Sequence, residues 1–107
     1  MPDDYLIVLT TLPDETTAGQ LARRLVEKKL AACVNILGRM TSIYPWEGKI
    51  EQGTEHQLVI KTTAQRYAEL EAFIKNNHPY RLPEILALPV AGGAADYLDW
   101  IEQCTND

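Results

Sequence analysis

The chain is 107 residues long, enough for one domain that buries roughly two-thirds of its unfolded surface around a modest core. With 46% hydrophobic and 23% charged residues it is too apolar for a disordered segment. A formal net charge of -5, with no stripe of lysines and arginines to neutralise phosphates, argues against a nucleic acid as partner and makes a cation the easier ligand.

Met1-Pro2-Asp3-Asp4 has neither the basic start nor the apolar run of a leader. No stretch approaches about 18 consecutive apolar residues, so a cytoplasmic chain with no membrane partner is expected. The first element is a strand over Tyr5-Leu6-Ile7-Val8-Leu9-Thr10-Thr11, a β-branched and apolar run that suits a central position in a sheet. Pro13-Asp14-Glu15-Thr16-Thr17 supplies helix-start chemistry, and Ala18, Leu21, Ala22, Leu25 and Val26 then recur with helical spacing. Arg23, Arg24, Glu27, Lys28 and Lys29 form the solvated face of that helix.

A second strand is expected from Cys33 to Tyr44 and a third from Glu55 to Thr62, with Tyr44 to Gly53 joining them as an extended hairpin. Cys33 and Cys104 are far apart and lack CxxC spacing, so both should be reduced thiols, and Cys33 reads more naturally as a small packed residue than as a reactive one. Thr62-Thr63-Ala64-Gln65 offers a capping box to a second helix with Tyr67, Leu70 and Ile74 on one face. Asn76-Asn77 and Pro79 end it. Glu84 to Val90 reads as a fourth strand, and after Gly92-Gly93 a short helix turns Leu98, Ile101 and Cys104 inward.

The order β-α-β-β-α-β plus a terminal helix is the α+β, ferredoxin-like split βαβ arrangement, expected as a single domain over residues 1–107. Two helices on one face of an antiparallel sheet leave the other face bare, and a long hairpin exposes backbone edges. Both features predict self-association.

His78-Pro79-Tyr80-Arg81-Leu82-Pro83-Glu84 is the densest cluster of chemistry in the chain. Each proline fixes its own φ and pushes the preceding residue out of the α region, so the segment is stiff. It reads either as a polar site or as a well-made loop between helix and strand. Lys61 stands in the otherwise apolar Leu58-Val59-Ile60-Lys61 run, where it either emerges at a sheet end or meets a carboxylate such as Glu84. Tyr80 and Trp46 offer flat walls with one hydrogen-bonding group each, suited to a small ligand or to a subunit interface. His56 has no partner at ligand spacing and reads as an exposed strand residue.

Leu30-Ala31-Ala32-Cys33, Tyr44-Pro45-Trp46-Glu47-Gly48-Lys49, Ile60-Lys61-Thr62-Thr63 and the His78 to Glu84 segment, in this order and spacing, closely resemble the CutA divalent-cation tolerance family. Leu12-Pro13-Asp14 and Asp96-Tyr97-Leu98-Asp99-Trp100 extend the match over nearly the whole chain. The resemblance implies a cytoplasmic homotrimer of ferredoxin-like subunits, similar to the nitrogen-regulatory signalling trimers, with a role in tolerance to copper and other divalent cations. It also implies that these motifs gather near subunit boundaries. Copper-holding relatives look as if they use a cysteine ending the first strand and two adjacent histidines, positions that read Thr10, Asn77 and His78 here. Only His78 matches, so a thiolate-containing copper site is not carried over: His78 reads either as a metal donor, with Glu84, Cys33 or a neighbour's Glu47 as candidate companions, or as a surface or interface histidine. Cys33, Trp46, Glu47, Lys61, Tyr80 and Glu84 make up the expected ligand pocket or interface. No nucleophile with an adjacent base, HExxH or phosphate loop is present, so a binding protein is expected and not an enzyme. The alternatives are a trimeric signalling or scaffold module in which metal is incidental, and a small acid-base enzyme if Tyr80, Lys61 and Glu84 converge.

Overall fold

The structure is a computed structural model and describes residues 4–106. The leader-free reading of Met1-Pro2-Asp3 lies outside the described residues. The elements are β1 (Tyr5–Leu12), α1 (Glu15–Glu27), β2 (Cys33–Trp46), β3 (Lys49–Thr63), a 3₁₀ turn (Ala64–Arg66), α2 (Tyr67–Asn77), β4 (Leu86–Pro89) and α3 (Ala95–Thr105). The four strands form one antiparallel sheet in the order β2-β3-β1-β4, which is the expected ferredoxin-like arrangement with an added C-terminal helix. No helix among the described residues is long and apolar enough to cross a membrane.

β1 is central, as its apolar run requires. It pairs with β3 along its whole length and with β4 over Leu6 to Leu9. The pleat sends Val8, Thr10 and Leu12 of β1 and His56, Leu58, Ile60 and Thr62 of β3 to the helix-covered side, where all are buried. Ala18, Leu21 and Leu25 of α1 and Leu70 and Ile74 of α2 close the core over them, with Tyr67 and Phe73 packed against it. Asp14 caps α1 by accepting the Thr17 N–H at 2.7 Å, a bond that holds its carboxyl below the usual range. Arg24 ties α1 to α2 by lying over the Phe73 ring, 4.9 Å from its centroid, and donating to Asn77 Oδ1.

The tertiary structure changes several local expectations. Tyr44 to Gly53 is almost entirely strand. Trp46 pairs with Lys49 across a two-residue turn in which Glu47 and Gly48 both have positive φ, 51° and 81°, the twist that suits a tight hairpin. At about 3.3 Å per residue, the 14 residues of β2 account for the 45 Å long axis of the molecule. The capping box does not form. β3 continues through Thr63, so the pleat sends Thr62 into the core, where its hydroxyl donates to the Leu30 carbonyl at 2.7 Å. β4 is shorter than Glu84 to Val90, because Pro83 and the residues around it hold the chain away from the β1 edge until Leu86. Val26 points outward, 43% exposed. Ile101 faces inward from α3 as expected, with Leu98 and Cys104 half-buried.

His56 is not an exposed strand residue. The β3 alternation carries it inside, 8% exposed, and its ring packs against Gly38 at the bulge where β2 shifts register between Leu37 and Met40. A Cβ at Gly38 would stand 2.0 Å from His56 Cδ2, so a glycine is needed for the hairpin to close over the ring. Gly38→Ala is expected to lower stability by about 1–3 kcal/mol through overpacking. In urea melts, combining it with His56→Ala should give less than the sum of the two single losses. Strict additivity would show that the two residues do not press on each other.

Candidate functional site

Beyond the bulge the side chains of Met40, Ser42, Tyr44 and Trp46 share one face of β2, since they pair in turn with Glu55, Gly53, Glu51 and Lys49 of β3. Glu55 and Gln57 lie on that same helix-free face, and Gln57 stands opposite Thr11 of β1. The stiff segment after α2 completes the enclosure with Pro79, Tyr80, Arg81, Leu82 and Glu84. The result is a groove of about 950 Å³, large enough for a small organic ligand.

Hydrogen bonds fix its floor. The Tyr80 hydroxyl donates to Glu55 Oε2 at 2.9 Å, and Gln57 Nε2 donates to the Thr10 carbonyl at 2.8 Å and to Glu84 Oε2 at 3.4 Å. Burial, then the bond to Glu55, push the Tyr80 phenol far above its ordinary value, so it stays a donor across the physiological range. His78 supports this arrangement from behind. Its Nδ1 accepts the Tyr80 N–H at 3.0 Å and its Nε2 donates to the Thr11 carbonyl at 2.7 Å, an arrangement that selects the neutral Nε2–H tautomer. Its ring lies 4.9 Å from that of Tyr80. Burial is the main cause that lowers its pKa.

Of the residues singled out from sequence, Trp46, Tyr80 and Glu84 meet in this groove and His78 buttresses it. Glu47 sits exposed in the hairpin turn. Cys33 and Lys61 face one another across β2 and β3 at the other end of the hairpin, outside the groove. The expected pairing of Lys61 with Glu84 is not formed: Lys61 Nζ donates to Asn35 Oδ1, while Glu84 accepts from Gln57. Strand position decides this, because Lys61 is four residues beyond Gln57 along β3. The contributions of Glu55, Gln57 and Tyr44 escaped the sequence reading. The signal for them was the polar Glu55 and Gln57 alternating with His56 and Leu58.

A metal finds few donors within one copy. Among the described residues no group of three or more His, Cys, Asp or Glu side chains is placed to hold an ion. Thr10 points into the core, its hydroxyl without a partner, and not toward His78. Asn77 is engaged at both ends of its amide, by Arg24 and by the Phe73 carbonyl. Both His78 nitrogens are committed, so coordination through Nδ1 requires the Tyr80 N–H to give up its bond. Within a single copy these three positions do not compose a metal site.

A family model described as CutA1 divalent ion tolerance protein matches residues 6–104. The divalent-cation tolerance protein CutA of Thermus thermophilus is 46% identical over 100 residues, covering 94% of this chain and 97% of its own length. The crystal structure of CutA1 from Oryza sativa superposes with a TM-score of 0.95 at 38% identity, covering 97% of this chain and 95% of that one. A protein from Archaeoglobus fulgidus, described as a periplasmic divalent cation tolerance protein CutA, superposes at 0.92 with 40% identity over 95% of this chain and 99% of its own.

The neutral His78 yields a pH prediction. A histidine whose folded pKa lies below its unfolded value adds stability that is complete above the unfolded value, near 6.5, and is lost as pH falls through the folded one. Thermal melts should show the melting temperature falling from pH 7 toward pH 5, with a shallower fall in His78→Gln. Identical slopes in the two proteins would remove His78 as the cause.

Proposed function

The chain belongs to the CutA1 divalent ion tolerance family, and from that premise we propose that it serves divalent-cation tolerance as a cytoplasmic homotrimer, whose contacts with copper or another divalent cation are completed between copies. The observation that carries this reading is the apolar surface left bare by one copy. Leu37, Leu86 and Leu88 stand half-exposed on the helix-free face, and Ile43 and Ile50 on the far half of the hairpin are 68% and 75% exposed. Large apolar side chains left in water on both faces of the sheet and hairpin suit surfaces that other copies cover. His78 is the imidazole donor in this proposal, with Cys33 or Glu47 of a neighbouring copy and Glu84 as candidate companions. The two free cysteines accord with a reducing compartment, and cell fractionation checks this against the periplasmic description of the Archaeoglobus protein.

The reading is of a binding protein and not an enzyme. Acid-base chemistry would need Lys61 beside Tyr80 and Glu84, and Lys61 is held elsewhere by Asn35. A second reading has its own support. The groove is of small-molecule size, and a trimer that binds a small organic ligand there, with metal incidental, uses it directly.

Native mass spectrometry of metal-free protein, titrated with Cu(II) and Zn(II), is expected to show a trimer taking up about one ion per subunit, lost in His78→Ala. A trimer that takes up none shifts the weight to the second reading. If unfolding is coupled to dissociation, the melting temperature should rise with protein concentration. A concentration-independent melt with a monomeric mass would end the trimer proposal.

A further inference from the structure

We propose that Tyr80 is a plug which a divalent cation displaces: uptake at His78 Nδ1 detaches the Tyr80 N–H and, with it, the Tyr80 hydroxyl from Glu55. The inference rests on the first reading above, that His78 is the imidazole donor, and adds how uptake at that donor is regulated.

Three observations carry it. The first is the state of the ring. Nε2–H is spent on the Thr11 carbonyl, so the lone pair lies on Nδ1, and a ring whose second nitrogen donates to a backbone carbonyl is held as metal-binding imidazoles are held. One group engages that lone pair, the Tyr80 N–H at 3.0 Å. The donor is thus closed by an amide hydrogen and not by the wrong tautomer.

The second is that Tyr80 supplies two hydrogen bonds at this corner. Its N–H goes to His78 Nδ1 and its hydroxyl to Glu55 Oε2 at 2.9 Å, while its ring lies 4.9 Å from that of His78. Burial dominates the surroundings of the imidazole, yet the Glu55 carboxylate acts on it through space in the direction that favours positive charge.

The third is the backbone. Tyr80 has a negative φ, and flipping the Pro79–Tyr80 peptide alone would carry that angle into the region a bulky residue avoids. The N–H therefore leaves Nδ1 by movement of Tyr80 as a whole, and the phenol leaves Glu55 in the same step. Cation and plug exclude one another, so the Tyr80 bonds lower the apparent affinity by the fraction of molecules in which Nδ1 is open. The site stays closed at low cation concentration and opens as the concentration rises.

Calorimetry and amide hydrogen exchange, read by NMR on chelator-treated, full-length protein with Zn(II) as the probe, test this. Saturating Zn(II) should speed exchange of the Tyr80 N–H at least about tenfold, the loss of one hydrogen bond. Tyr80→Phe keeps the N–H and the ring but gives up the bond to Glu55. It should melt at a lower temperature and yet bind Zn(II) about threefold to tenfold more tightly, a rise in affinity that a merely structural residue would not produce. His78→Gln should abolish the uptake. Uptake lost in His78→Gln but with Tyr80 exchange unchanged, or with Tyr80→Phe binding no tighter, overturns the plug and leaves His78 standing as the donor. Uptake that survives in His78→Gln, or none in either the wild type or Tyr80→Phe, overturns both. Uptake by Tyr80→Phe alone supports the plug directly. Should Tyr80→Phe fail to fold, exchange at Tyr80 in the wild type decides the matter.

Discussion

The two-residue alternation of β3 is the constraint on which the rest of this molecule depends. β3 is bonded on one side to β2 along the entire hairpin and on the other to all of β1, so its pleat sets both faces of the sheet at once. One set of alternate residues, His56, Leu58, Ile60 and Thr62, closes the core with the helices. The other set, Glu55, Gln57, Val59 and Lys61, stands on the bare face. A slip of one residue would exchange these sets, placing Lys61 under α1 and Leu58 in water. The register is therefore held by the whole core and not by any single bond.

The candidate site is a by-product of that same register. Because Glu55 and Gln57 are presented on the bare face near the end of β1, the stiff segment leaving α2 meets them as it crosses back toward β4. His78 directs the crossing. It holds the Thr11 carbonyl through one nitrogen and the Tyr80 N–H through the other, which sets Tyr80 at Glu55. The residue that a sequence reader takes first for a metal donor thus has a structural task in the single chain. Any cation it binds has to compete with a hydrogen bond that shapes the groove.

The buried polar atoms follow from the same alternation. Thr10 and His56 occupy core-facing positions that a hydrophobic residue would fill without penalty, and their Oγ1 and Nδ1 atoms have no protein partner. His56 gains its place by packing, its ring lodged under the one position of the bulge that lacks a Cβ.

How much of this was legible in the sequence depends on the range of the interaction that decides it. Periods of two and of 3.6 are local, so the run Tyr5 to Thr11, the stripe Ala18 to Leu25 and the succession of elements determined the α+β ferredoxin-like class without any coordinates. The stiffness of His78 to Glu84 was local as well, since a proline constrains only itself and the residue before it. Burial and partnership are not local. Whether His56 is inside or outside depends on which face of β3 the helices cover: the alternation of Glu55 and Gln57 with His56 and Leu58 groups His56 with Leu58, and only the packing of the helices buries that group. Whether Thr62 caps a helix or enters the core depends on where β3 stops, which pairing with β1 decides. Lys61 and Glu84 look like natural partners by charge, yet strand rise sets them apart, and Glu55 becomes the partner of Tyr80 only because the chain crosses at that height. The sequence by itself determined the elements and their order, because the forces that set them act within a few residues. The tertiary structure alone decided which side chains meet in the groove, because cross-strand register and the path of a loop join residues 25 and 27 positions apart.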